Sequence, residues 1–464
     1  MAEIIASISS NLYTWVVIIL LVAGGIYFTV RTKVVQARTI PEQFKVVAEK
    51  PKDKKGVSSF HALMVSTASR VGTGNIVGVA LALCVGGFGS VFWMWIIAII
   101  GAASAFIEST LAQIYKKKGL NGCYGGPAYY IEKAIKCRPL AIVFSILLVL
   151  TYGVGFNMLA SYNLQATFKV YGFYNEQYTP WIIGAIVAVL VGYCLFGGGK
   201  RIVKITSLLV PIMGVAYILI ALLVVVLNIT AIPEVLVRIF TEAFDFKAIF
   251  GGFGGSCVMW GIKRGLFSNE AGVGSAPNAS ASAQVSHPVK QGLVQVLSVF
   301  IDTILICTAT AFMCMCSGVE PTGDDGAVYI QACMSAVFGD FGPIFITVAM
   351  VLFAFTTLIG NLFYVDKSFN HLLGKEPNKT FNYIYYIVAS LLILVGAGLN
   401  SSVLWDVADI FMGLMTVINV PVIIILSDKA IKALKDYRKQ KKAGLNPIFR
   451  ADSIGIKDKL DYWQ

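Results

Sequence analysis

Arg70-Val71-Gly72-Thr73-Gly74-Asn75 stands in the middle of a long apolar segment, Ser58 to Cys84. It suits a continuous helix poorly. Glycine loosens a helix interior, and threonine and asparagine offer the backbone competing hydrogen bonds. In a membrane, a backbone opened at this depth must find partners other than lipid. The stretch reads as a helix broken near its middle, with the break as a binding site.

Composition supports a membrane setting. Of 464 residues, 57% are hydrophobic and 13% charged, against roughly 25% charged in a soluble domain. Apolar runs recur from Tyr13 to Leu426, the pattern of an all-α polytopic membrane protein. The net charge of +12 does not imply nucleic acid, because the basic residues fall in separate loops. Nine cysteines lie mostly in apolar runs without a Cys-x-x-Cys pair, and Cys314-Met315-Cys316 is too tight for a zinc knuckle. They read as small buried hydrophobes. His61, His287 and His371 form no metal pattern. Without convergent nucleophile, base or metal ligands, neither an enzyme nor a cofactor is expected.

Eleven spans are expected, near 11–30, 58–84, 89–115, 139–165, 179–197, 203–228, 248–283, 290–317, 340–366, 380–398 and 403–427. The first lacks a basic n-region and is followed at once by Arg31 and Lys33, the opposite of a signal peptide. Thirty-one of the 37 lysines and arginines fall in alternate loops, including eight in 31–55 and ten after Ser427. This alternation predicts an outside N-terminus and a cytoplasmic C-terminus in the cell membrane. Loop 318–340 carries Glu320, Asp324, Asp325 and Asp340 and no basic residue, with room for a short external helix from Ala327 to Phe338.

The seventh span is too long for one crossing. It contains Met259-Trp260-Gly261-Ile262-Lys263-Arg264-Gly265-Leu266-Phe267-Ser268-Asn269-Glu270-Ala271-Gly272, which reads as a second break. The two broken spans lie five apart and run in opposite directions, as an inverted five-helix repeat requires. The expected layout is a first helix and basic loop over 1–57, one repeat over 58–228, its mate over 248–427, and a basic tail over 428–464.

Each break puts helix ends inside the membrane. The outer half of span 2 begins near Thr73 to Asn75, where free N–H groups favour an anion. The outer half of span 7 is expected to end near Met259 to Ile262, where free carbonyls favour a cation. A zwitterion with both charges on one carbon fits between them. The inner half of span 2 ends near Ala68 to Val71, again with carbonyls, and Thr356-Thr357 offer adjacent hydroxyls from span 9; such oxygens suit sodium. The competing reading is that glycine and threonine merely let helices pack closely.

Val71-Gly72-Thr73-Gly74-Asn75 with Ile76-Val77-Gly78-Val79-Ala80, and the run from Trp260 to Gly272, resemble the alanine or glycine:cation symporter family. Gly125-Gly126-Pro127 with Glu132-Lys133, and Asp302-Thr303, match its pattern too. The resemblance runs from about Phe60 to Pro421. It implies the leucine-transporter fold, with an extra N-terminal helix, and sodium-coupled uptake of a small neutral amino acid, alanine or glycine, by alternating access. It also implies that Thr73 and Gly74 bind the substrate carboxylate, and carbonyls of Met259, Trp260, Gly261 and Ile262 its amine. Phe156, Asn157 and Asn361 would wall the pocket. Carbonyls of Ala68, Val71 and Phe353 with the hydroxyls of Thr356 and Thr357 would hold sodium, and Asn75 matches a second ion position. Arg70 stands where the family has a small or hydroxyl residue.

The remaining charges need partners. A charge near the bilayer centre costs about 3 kcal/mol or more, so Arg70 is expected to replace an ion, meet substrate, or pair with Glu108 or Glu270. Lys263 and Arg264 are expected to pair with Glu270 or with carbonyls of the inner half-helix, and Asp302 to pair with them. Glu108 reads as a satisfied buried acid. The tail from Lys429 to Lys442 is expected to lie as an amphipathic helix on the anionic cytoplasmic leaflet. Proton-coupled or cation-independent transport is the first alternative, motivated by Arg70; a channel lies further off.

Overall fold

The computed structural model describes residues 2–50, 56–119, 122–245, 249, 252, 256–321, 323, 325–399, 401–456 and 460–463. Most of the first part of the expected seventh span, from 248 to 255, and Asp324 lie outside these residues. The described residues are mostly helical. The helices are α1 (Ala2–Thr32), α2 (Ile40–Ala48), α3 (Ser59–Arg70), α4 (Gly74–Gly86), α5 (Gly89–Ile114), α6 (Arg138–Ala166), α7 (Thr179–Leu195) and α8 (Gly198–Leu227). They continue with α9 (Ile232–Ala243), α10 (Cys257–Asn269), α11 (Pro277–Ser282), α12 (Val289–Met315), α13 (Gly326–Phe338), α14 (Phe341–Leu372), α15 (Lys379–Ala397) and α16 (Ser401–Lys442). A small antiparallel hairpin, β1 (Lys117–Gly119) with β2 (Gly122–Tyr124), follows α5.

Among the described residues, eight helices are long and apolar enough to cross a membrane; α3 and α4 make a ninth span if taken together. α7, with 17 residues, is a shorter apolar helix. The protein is therefore membrane-embedded. α5 forms the hub, packed along its length against α10 and α12. α3 lies between α8 and α14, and every residue from Ala62 to Arg70 is buried. α8 exposes apolar side chains such as Leu208, Ile212, Val215 and Leu219, the surface that lipid covers.

Two limits differ from the apolar runs. α1 begins at Ala2, well before residue 11. α16 continues from the eleventh run to Lys442 as one helix. The basic tail is helical, as expected, but much of its apolar side is turned to protein. Ala430, Ala433, Leu434 and Tyr437 are buried against the protein. Tyr437 donates to Glu42 at 2.5 Å and Asp436 faces His287 at 3.3 Å. Protein contacts satisfy the tail's apolar face, so lipid need not.

Candidate functional site

Three residues, Val71 to Thr73, separate α3 from α4, and the two helices meet at 53°. α3 ends where Val71 N–H bonds Thr67 O at 2.7 Å. Its exposed end is met by α14. Thr357 Oγ1 donates to Ala68 O at 3.1 Å, and Thr356 Oγ1 to Phe353 O at 3.1 Å. A Cβ on Gly72 would run into Thr357 Oγ1, and one on Gly360 would lie 2.7 Å from Ser69 N. The glycines let the broken end and α14 touch through backbone. Thr357 thus links α14 to the Ala68 carbonyl, while Thr356 bonds within α14 and faces Met213 of α8 at 3.5 Å; Val71 is buried.

α4 opens with a π-helical stretch, Gly74–Gly78. The first N–H groups of a helix have no partner inside it. Gly72 N–H is taken by Asn75 Oδ1 at 2.8 Å, and Asn163 Nδ2 donates to Thr73 Oγ1 at 3.2 Å. Asn75 Nδ2 donates to Asp302 Oδ1 at 2.7 Å and to Ser268 Oγ at 2.9 Å. Asp302 Oδ2 accepts from Ser268 and Thr303 at 2.6 and 2.8 Å. Asp302 lies in a second π-helical stretch, Phe300–Cys307; a third, Val149–Gly155, leads into Phe156 and Asn157. Such stretches gather at functional sites because the extra residue swings side chains out of helical register.

Aromatic rings layer the site. Phe156 stacks on Phe267 at 4.4 Å between centroids, and Phe267 meets Trp405 at 4.9 Å. A Cβ on Gly74 would lie 2.7 Å from the Phe267 ring, so Phe267 covers the start of α4. Across the layer, polar groups chain together. Asn361 Nδ2 donates to Asn157 Oδ1 at 2.9 Å, and Ser69 Oγ to Asn361 Oδ1 at 2.6 Å. Glu270 accepts from Ser275 at 2.7 Å. A cavity of about 770 Å³ is lined by Val77, Asn163, Met259, Trp260, Arg264 and Trp405, among others.

The seventh segment differs from expectation. Met259 to Ile262 do not end a helix; they begin one. Ser256 caps α10 by accepting from Met259 N–H at 3.3 Å, so this level presents N–H groups. The glycines here serve packing: a Cβ on Gly261 would run into Ser90 O, and one on Gly265 would lie 2.7 Å from Ile97. The chain turns later, at Glu270 (φ 53°), Gly272 (φ 88°) and Gly274 (φ 91°). That turn is closed by side chains. Asn269 accepts from Ala271 N–H at 3.0 Å, Glu108 from Gly272 N–H at 3.4 Å, and Asn419 Nδ2 donates to Gly272 O at 2.9 Å.

The buried charges also find other partners. Lys263 and Arg264 share Asp409 at 2.8 and 2.6 Å, with Asp406 3.9 Å from Lys263. Glu270 and Asp302 are not involved. Arg264 also lies 4.2 Å above the Trp405 ring. Arg70, 2% exposed, donates to Gln295 at 2.9 Å. No carboxylate lies within ion-pair distance of Arg70 among the described residues, and its Nε and Nη2 have no hydrogen-bond partner. Asn163, Phe267, Trp405 and Asp409 were missed as site-forming residues. The pair Asp406 and Asp409 inside an apolar run was the available signal.

The sequence matches the sodium:alanine symporter family over residues 1–451. It is similar to the amino-acid carrier protein AlsT of Bacillus subtilis (strain 168), 45% identical over 446 residues, 96% of this chain and 94% of that protein. The probable sodium/glutamine symporter GlnT of the same organism is 42% identical over 464 residues, 99% and 96% of the two chains. Among solved structures it resembles MhsT in complex with L-phenylalanine, with a TM-score of 0.59 at 18% identity, over 82% of this chain and 92% of that one. The chain belongs to the sodium:alanine symporter family, has the leucine-transporter fold, and is a cation-coupled amino-acid transporter rather than an enzyme.

Proposed function

We propose that the protein carries a small neutral amino acid, alanine or glycine, into the cell together with sodium. The observation that carries this reading is the contact of Gly72 and Ala68 O with Thr357 Oγ1. It gathers carbonyl and hydroxyl oxygens without a carboxylate, the donors a hard monovalent cation accepts. A cation there would take both oxygens as ligands in place of the Thr357 hydrogen bond and so bridge α3 to α14. The N–H groups of Thr73 and Gly74 bind the substrate carboxylate, with Phe156, Asn157 and Asn361 as walls. Met259 and Trp260 line the approach, and their helix start leaves the amine to other acceptors, since N–H groups repel it. Asn75, held on Asp302, marks a second cation position.

Alternating access then moves the broken span against α14. Eleven spans, with spans 2–6 and 7–11 as inverted repeats, the N-terminus outside and the C-terminus in the cytoplasm, are the arrangement that fits the basic loops. Uptake of labelled alanine and glycine into proteoliposomes tests the proposal: an inward sodium gradient should drive accumulation, and equal uptake without it would overturn coupling. Arg70, buried without a paired carboxylate, favours proton coupling as the second reading; accumulation driven by a pH gradient alone would establish it instead.

A further inference from the structure

Away from the broken helices, a cavity of about 450 Å³ opens between the foot of α1, the start of α2 and the end of α16. Lys33, Arg38, Arg438, Lys441 and Lys442 line it, with Glu42 as its one carboxylate among the described residues. Glu42 is already engaged, by Lys441 at 2.8 Å and by Tyr437 at 2.5 Å. Arg438 donates to Thr32 O at 3.3 Å and feels the like charge of Arg38. Like charges converging on one hollow repel unless an anion sits between them.

A second observation concerns the wall. Lys33 and Val34 are consecutive non-glycine residues in the left-handed region, with φ 57° and 55°. Each costs about 1–2 kcal/mol, most severely for a β-branched residue such as valine. Strain of this kind persists where it positions something; here it turns the chain at the end of α1 and places Lys33 on the cavity. On the same elements, Val30, Ile40 and Phe44 leave apolar side chains exposed. Cations beside exposed apolar surface at the end of a membrane span match an amphiphile with an anionic head.

We propose that this cavity binds the phosphate of an anionic phospholipid and so ties the terminal helix to the foot of the first span. The site is independent of the substrate and cation positions. Full-length protein in neutral detergent is titrated with phosphatidylglycerol, phosphatidylcholine or inorganic phosphate, and adducts are counted by native mass spectrometry. Wild type should retain phosphatidylglycerol and not phosphatidylcholine, and Arg38→Gln with Arg438→Gln should weaken retention roughly thirtyfold, the effect of two charges at a lipid surface. Lys33→Gln with Lys442→Gln tests the same site without disturbing the Arg438 bond to Thr32, and should also weaken retention. Equal retention by wild type and both variants overturns the proposal. Displacement of the lipid by millimolar phosphate would assign the site to a free phosphate and overturn the lipid reading.

Discussion

The turn between α3 and α4 and the turn after α10 both interrupt buried helices, yet their backbones are met differently. The first has three residues: the Ala68 carbonyl before it meets the Thr357 hydroxyl of α14, its Gly72 N–H meets the amide of Asn75 in α4, and Asn163 holds the Thr73 hydroxyl. The second runs from Glu270 to Ala276, and its own side chain Asn269, with Glu108 and Asn419, closes its backbone. A backbone opened in a membrane must be satisfied. Where the protein supplies a carboxylate beside the amides, the turn is a fixed joint. Where it supplies hydroxyls that can also coordinate, the turn remains available to a ligand.

The glycines give the sharpest test of this contrast. Gly72 is demanded by a neighbour, Thr357, whereas Gly272 is demanded by its own φ of 88° and has only ordinary contacts beyond 3.4 Å. Gly72→Ala should push α14 from the broken end and cut uptake by about a hundredfold, the cost of an ångström-scale misplacement at a working site. Next in size, Thr357→Val keeps the shape and removes the hydroxyl; the sodium concentration for half-maximal uptake should rise about tenfold, in line with one lost polar contact. An unchanged sodium response would dismantle the assignment of the first turn.

Gly272→Ala should instead cost about 1–2 kcal/mol of stability, seen as a lower Tm, while uptake per folded molecule stays within about threefold. Loss of uptake as complete as in Gly72→Ala would erase the distinction. The smallest effect belongs to the link between α11 and α12. Burial pushes the His287 imidazole down to about 4, against the pull of Asp436. The folded state refuses a proton that the unfolded chain accepts below about 6.5, so stability falls as pH drops from there towards 4. A Tm decrease of about 2 °C at pH 5 is expected, and His287→Gln should flatten it.

The first turn was legible because glycine, threonine and asparagine stand out in an apolar run. The second was placed too early, at Met259 to Ile262, because glycine has two uses. Gly261 and Gly265 are there for the approach of α5, and a sequence does not distinguish a helix that needs thinness from a chain that needs to turn. Charge was misread for a related reason. Lys263 and Arg264 were matched to acids close in sequence, while the structure pairs them with Asp409 across the bundle. Asn163 carried no mark at all: its role depends on facing Thr73, which only the crossing of α6 with the broken span determines. Helical membrane class and the spacing of the apolar runs were open to reading because lipid imposes one rule along the whole chain.

α16 spans 42 residues without interruption, a rod of about 63 Å at 1.5 Å per residue. Trp405 near one end touches the ring layer, and the other end, Lys442, lines the basic cavity. Such a rod is a mechanical pointer. A tilt of about 10° around Pro421 carries Lys442 through about 5 Å, large enough for a pair of spin labels to follow. The helix end thus offers a place to watch the transport cycle with no probe near the substrate.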